Sequence, residues 1–97
     1  MPAAATVTES SVTVASATVA VRLDGSPLAS RFWVRVVNPD ATQRLFIGHR
    51  SGTVNPANWE TADPASGVWE APVGAGVPIY ACSENGTTIS AKVIQYA

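Results

Sequence analysis

Residues that do chemistry are scarce in this sequence. It contains one cysteine (Cys82), one histidine (His49) and one lysine (Lys92). A lone cysteine cannot close a disulfide within the chain. Small extracellular domains usually carry several such bridges, so their absence favours assembly in a reducing cytoplasm or stabilisation by partners. Metal sites need clustered ligands, and no such spacing occurs. The seven acidic residues are dispersed, without the Asp-x-Asp loop of a calcium site. Gly74-Ala75-Gly76 lacks the third glycine and the following helix of a phosphate-cradling loop. No cofactor site and no catalytic constellation are expected, because catalysis needs converging groups rather than single ones. His49, followed by Arg50-Ser51, is the nearest approach to a nucleophilic pair; a strand-end histidine facing solvent or an interface is the preferred reading.

Charge is sparse as well. Charged residues make up 13% of the chain, about half the usual share. The cations Arg22, Arg31, Arg35, Arg44, Arg50 and Lys92 are scattered, whereas nucleic-acid binding needs several on one surface to neutralise phosphates. Nucleic acid is therefore not an expected partner. Nor is a membrane, because no stretch approaches the roughly 20 apolar residues of a span. Met1 to Ala20 has no Lys or Arg and no compact Leu-rich core, so it does not read as a secretory signal. A weakly charged surface on a small domain is often covered, which points to oligomerisation or docking on another protein.

What the sequence does have is period-two alternation of branched residues, which suits a pleated sheet better than a helix. The 97 residues leave room for one domain. Residues 1–16 read as an N-terminal arm or first strand, and residues 17–97 as the β-domain proper. In the run from Val12 to Leu23, Val19, Val21 and Leu23 share one face. Arg31 to Val37 is the clearest strand, with Phe32, Val34 and Val36 directed to a core. Arg31, Trp33 and Arg35 fall on a semi-exposed face. Gln43 to His49 follows, with Leu45, Ile47 and His49 on one side and Phe46 on the other. Residues 50–67 form an irregular loop around Trp59. Val68 to Val73 reads as a short edge strand, because Pro72 cannot donate to a ladder. Val77 to Cys82 and Thr87 to Tyr96 complete the set, joined by a turn whose Asn85-Gly86 is a strong hairpin signal. Asn85-Gly86-Thr87 also matches a glycosylation acceptor, which the turn already explains. Six to seven strands with turns every eight to twelve residues predict an all-β fold, a small antiparallel sandwich or barrel.

Three tryptophans remain. Exposed tryptophan stacks on sugar rings or anchors protein interfaces; buried tryptophan fills a core. Trp59, in a polar loop, is the best contact candidate. Trp33 and Arg35 on the semi-exposed strand face, with His49 and Arg50 at a strand end, complete the expected interface set.

Several stretches resemble a recurrent small β-domain of virion proteins in tailed bacteriophages. They are Val36-Val37-Asn38-Pro39, Leu45-Phe46-Ile47-Gly48, Gly76-Val77-Pro78-Ile79-Tyr80-Ala81-Cys82, Asn85-Gly86-Thr87 and Ile89 to Tyr96. The likeness covers roughly Val34 to Ala97; the N-terminal strands and the Trp59 loop depart from it. It implies a head decoration or cement protein, assembled in the host cytoplasm and carried on the virion. Its expected partner is the major capsid protein lattice, bound as a homo-oligomer, in such proteins often a trimer. A carbohydrate- or receptor-binding module and a tail or connector subunit are the alternatives.

Overall fold

The computed structural model describes residues 3–97, so the part of the N-terminal expectation resting on Met1 and Pro2 lies outside the described residues. Nine strands are present among them. They are β1 (Val7–Val14), β2 (Val19–Arg22), β3 (Trp33–Asn38), β4 (Leu45–Gly48), β5 (Gly52–Thr53), β6 (Glu60–Ala62), β7 (Gly67–Ala71), β8 (Tyr80–Ser83) and β9 (Ile89–Tyr96). Two short 3-10 turns, Pro56–Asn58 and Glu84–Gly86, interrupt them. The strands form two antiparallel sheets, ordered β1-β9-β3-β7 and β5-β2-β8-β4-β6. The expected sandwich is present, and it is not a closed barrel. The strand number is nine rather than six to seven, because β5 and β6 lie inside the stretch read as loop. Strands of two and three residues carry no legible alternation and exist only through their neighbours.

The pairings follow a simple rule. β1 pairs with β9, β2 with β8, β3 with β7 and β4 with β6. The chain therefore doubles back near β5 into one long two-stranded ribbon. That ribbon wraps so that β3 also meets β9 and β4 meets β8. This is the wrapping of a jelly roll, with β5 added beside β2. No two consecutive strands pair with each other. Val12 to Leu23 is accordingly two strands in different sheets. The Asn85-Gly86 turn does not close a hairpin either: it carries the chain from β8 in one sheet to β9 in the other. The turn chemistry was still read correctly, since both residues adopt positive φ, 56° and 73°.

Alternation places the core. Val34 and Val36 of β3, Leu45 and Ile47 of β4, and Ile89, Ala91 and Val93 of β9 point inward and are buried. Leu23, Ile79 and Trp69 fill the space between them. Trp69 is thus a core residue, and its indole N–H donates to Glu60. Cys82, buried beneath the outer face of the second sheet opposite Phe46, behaves as a small apolar residue; burial pushes its thiol pKa up. Val19 is exposed, Val21 half-buried and Leu23 buried, so the expected face is covered only at its end.

Arg31 departs furthest from expectation. It lies before β3 rather than on its semi-exposed face, and it is 3% exposed. All five of its N–H donors are used. Nε donates to the Val73 carbonyl, Nη1 to Asp24 Oδ2 and Gln95 Oε1, and Nη2 to the carbonyls of Gly74 and Val77, over 2.6–3.1 Å. Asp24, equally buried, also accepts from Ile79 N and Arg22 Nε. Gln95 accepts from Leu28 N and donates to the Ser26 carbonyl. One guanidinium thus ties the 23–32 loop, the 73–79 loop and the end of β9. At the far end, buried Asn38 donates to the carbonyls of Gln43 and Ala62 and accepts from Asp40 N, fixing β3, β4 and β6.

Truncating one partner of a buried ion pair strands the other charge, at a cost of about 3–5 kcal/mol. Arg31→Met should lose that much stability, a large part of the roughly 5–15 kcal/mol of a small domain, measured by urea unfolding. Burial would raise the pKa of Asp24. The hydrogen bonds from Ile79, Arg31 and Arg22 outweigh it and hold the carboxyl below the usual aspartate value. A depressed folded pKa gives stability that is full above the unfolded value, about 3.9, and is lost as pH falls through the folded one. Asp24→Asn should be less stable at neutral pH and show a shallower loss on acidification, read from urea midpoints between neutrality and acid.

Candidate functional site

β4 ends at Gly48, and the chain then makes β5 and the Pro56–Asn58 turn. The Asn55 carboxamide accepts from Ala57 N at 3.1 Å, and Trp59 N donates to the Pro56 carbonyl at 2.9 Å. Proline in the first turn matches its fixed φ. This cap fixes where Trp59 leaves the turn. Its indole then lies directly on the Gly48 backbone, where a methyl group would overlap the ring. Glycine is required at position 48 for that close approach.

A shallow cleft of about 310 Å³ opens beside the indole, lined by Ile47, Gly48, His49, Arg50, Asn58, Trp59 and Glu60. It lies at the lower end of the size range of small-ligand pockets, about 300–1,000 Å³. Three expected interface residues, His49, Arg50 and Trp59, therefore come together. His49 is exposed beyond the strand, not on the inward face of Leu45 and Ile47. Its Nδ1 lies 2.8 Å from the Pro78 carbonyl. A carbonyl only accepts, so Nδ1 carries the proton and Nε2 is left for another partner. It makes no hydrogen bond to Ser51 among the described residues.

Arg50 is distinctive among the cations. Arg22 and Arg31 pair with Asp24, Arg35 with Glu70, Arg44 with Glu84 and Lys92 with Glu9. Among the described residues, Arg50 alone has no acidic partner within 4.0 Å. The cleft thus combines an aromatic surface, an uncommitted guanidinium, an imidazole nitrogen and the amide of Asn58. These groups offer stacking, charge and hydrogen bonds to a neighbouring molecule; among the described residues no side chain of the cleft forms a nucleophile–base pair. Among the described residues no group of three or more His, Cys, Asp or Glu could hold a metal ion.

Trp33 and Arg35 lie elsewhere, on the outer face of the β1-β9-β3-β7 sheet. Arg35 Nε donates to Glu70 Oε2 at 2.7 Å across β3 and β7. That bond lowers the Glu70 pKa and raises that of Arg35. Trp33 is half-buried; its indole nitrogen meets no hydrogen-bond geometry among the described residues but faces Glu70 and helps to lower that carboxyl's pKa. Half-buried Ile94 and Tyr96 and exposed Val7 and Val68 share this face. Asn58 and Glu60 were missed as cleft residues; their places on either side of Trp59 in Asn-Trp-Glu were the available signal. A second cleft of about 430 Å³ lies under the N-terminal half of β1, lined by Thr8, Ser10, Val12, the 23–29 loop and Gln95.

Gly48→Ala should lift the Trp59 indole off the strand at a cost of about 1–3 kcal/mol, the range for overpacking. In a nitrogen-correlated NMR spectrum the Trp59 indole N–H signal should move while that of Trp33, on the other sheet, stays.

No family model, curated protein or solved structure matches the chain.

Proposed function

We propose that this protein is a structural virion component of a tailed bacteriophage, which binds the assembled capsid surface and stabilises it. The jelly-roll wrapping carries the reading, because that architecture serves viral capsid and lectin domains. The step from fold to function is one of analogy, and the bacteriophage resemblance of Val34 to Ala97 narrows it to the decoration or cement type. The chain works in the virion after assembly in the host cytoplasm.

The mechanism is mass action. A ligand that binds only the assembled shell stabilises it by its binding free energy, and many symmetric copies multiply a modest gain per site. The Trp59 cleft is the docking site. Its indole supplies apolar area at little cost in conformational entropy, and Arg50 meets a carboxylate of the lattice. Trp33 and Arg35, on the opposite sheet, belong to a separate surface.

A second reading, binding of a host glycan, is favoured by the same cleft. An indole bordered by Asn58, Glu60 and Arg50 suits sugar hydroxyls.

Trp59→Ala should weaken capsid binding by about 2 kcal/mol, roughly thirty-fold, as for an interface anchor. Cosedimentation with purified particles measures it, and circular dichroism checks that the fold survives. Wild-type binding by the variant, or particles that never contain the protein, would contradict the reading. A change in tryptophan emission on titration with polysaccharide, lost in the variant, would favour the glycan.

A further inference from the structure

β1 is an eight-residue edge strand, and among the described residues its outer side is unpaired. Thr6 and Ala97 exchange both backbone bonds, at 2.8 and 2.9 Å. In an antiparallel ladder such mutually bonded pairs alternate with non-bonded ones. With the register Val7↔Tyr96 to Val14↔Ile89, the backbone groups of Thr8, Ser10, Val12 and Val14 point to β9. Those of Val7, Glu9, Ser11 and Thr13 point to solvent. Natural edges are usually blunted by lysine, proline, a bulge or shortness. β1 has none of these: its register is continuous, and its single charge, Glu9, is already met by Lys92 at 3.2 Å. The other edge of this sheet, β7, packs against β6 at the corner of the sandwich.

We propose that β1 pairs with β1 of a second copy of this chain, antiparallel across a two-fold axis, joining two four-stranded sheets into one. The sequence of the edge selects both partner and register. An incoming strand must set its own outward-pointing residues against Val7, Glu9, Ser11 and Thr13. A second copy does so for all four when Ser10 faces Ser10 of the other copy on the axis. Val7 then meets Thr13, and Glu9 meets Ser11, each pair exchanging two backbone bonds. Sliding the register to set Glu9 against Glu9 would oppose like charges and lose pairs.

Charge fits the same register. Ser11 has Lys92 as its neighbour on β9. Glu9 of one copy therefore lies two strand spacings, about 10 Å, from Lys92 of the other, with only a serine between. Each copy keeps its own Glu9–Lys92 pair, and the two pairs face each other with opposite charges nearest across the axis. The arrangement is isologous, so it closes at two copies rather than growing. It does not depend on the proposed capsid binding, which uses the Trp59 cleft on the other sheet.

The test uses the purified full chain. Sedimentation equilibrium should give twice the chain mass. Ser11→Pro removes an N–H that points away from β9, so it should weaken self-association at least tenfold, about 1.4 kcal/mol, without changing the far-ultraviolet spectrum. Ser10→Cys should form a disulfide-linked dimer under mild oxidation, because facing residues in non-bonded pairs have Cα atoms about 4.5 Å apart, within disulfide reach. If Ser11→Pro fails to fold, the cross-link decides. A monomer or trimer of the wild type, an undiminished Ser11→Pro dimer, or the absence of the Ser10→Cys cross-link would overturn the proposal.

Discussion

The buried guanidinium of Arg31 is the interaction on which this fold turns. A small sandwich has little apolar surface to close its open end, and here the closure is polar. The loops at residues 23–32 and 73–79 and Gln95 near the end of β9 all bond to one planar fork with five donors. Lysine could not replace it, because three mobile donors cannot address five acceptors fixed in a plane. Burying a charge is expensive, and a satisfied ion pair adds little net stability over a well-packed apolar group. What the cluster supplies is definition: only one arrangement of the two loops places every acceptor around the fork. Asp24 completes it, itself held by Ile79 N and Arg22.

That closure shapes the surfaces available for binding. The 23–29 loop, anchored through Ser26, Leu28 and Gln95, lies beneath β1 and leaves the edge of β1 open. The jelly-roll wrapping places the Trp59 cleft on the other sheet, where β4 ends. The open edge of β1 and the Trp59 cleft thus lie on different sheets of the sandwich, so the proposed self-pairing and the proposed docking do not compete for one surface. The same wrapping makes every strand pairing non-local, which predicts slow folding for a chain of this size.

Much of the fold was legible from alternation. β3, β4, β7 and β9 stand where the branched residues alternate, and β7 is an edge strand as Pro72 indicated. Alternation failed where tertiary contacts decide. Arg31 continues the pattern of Trp33 and Arg35, yet Asp24, Gln95 and three carbonyls draw it inside; only Asp24 is near in sequence, and the other four partners lie 42–64 residues away. β5 and β6 are too short to show a period. Asn85-Gly86 encoded its positive φ but not which sheet the next strand would join. In the cleft, Trp59 was legible as an aromatic in a polar loop. Its seat on Gly48 was not, because a glycine required by close approach looks like any strand-end glycine. Trp69 has no sequence feature that separates core from interface, and it lies in the core.

Closure of this end of the sandwich requires all five Arg31 donors to be engaged in solution. Nitrogen-detected NMR of the arginine side chains tests this directly. A locked guanidinium gives separate, slowly exchanging Nη proton signals with hindered rotation, distinct from those of exposed Arg44 and Arg50. A single averaged, rapidly exchanging Arg31 signal would contradict the account.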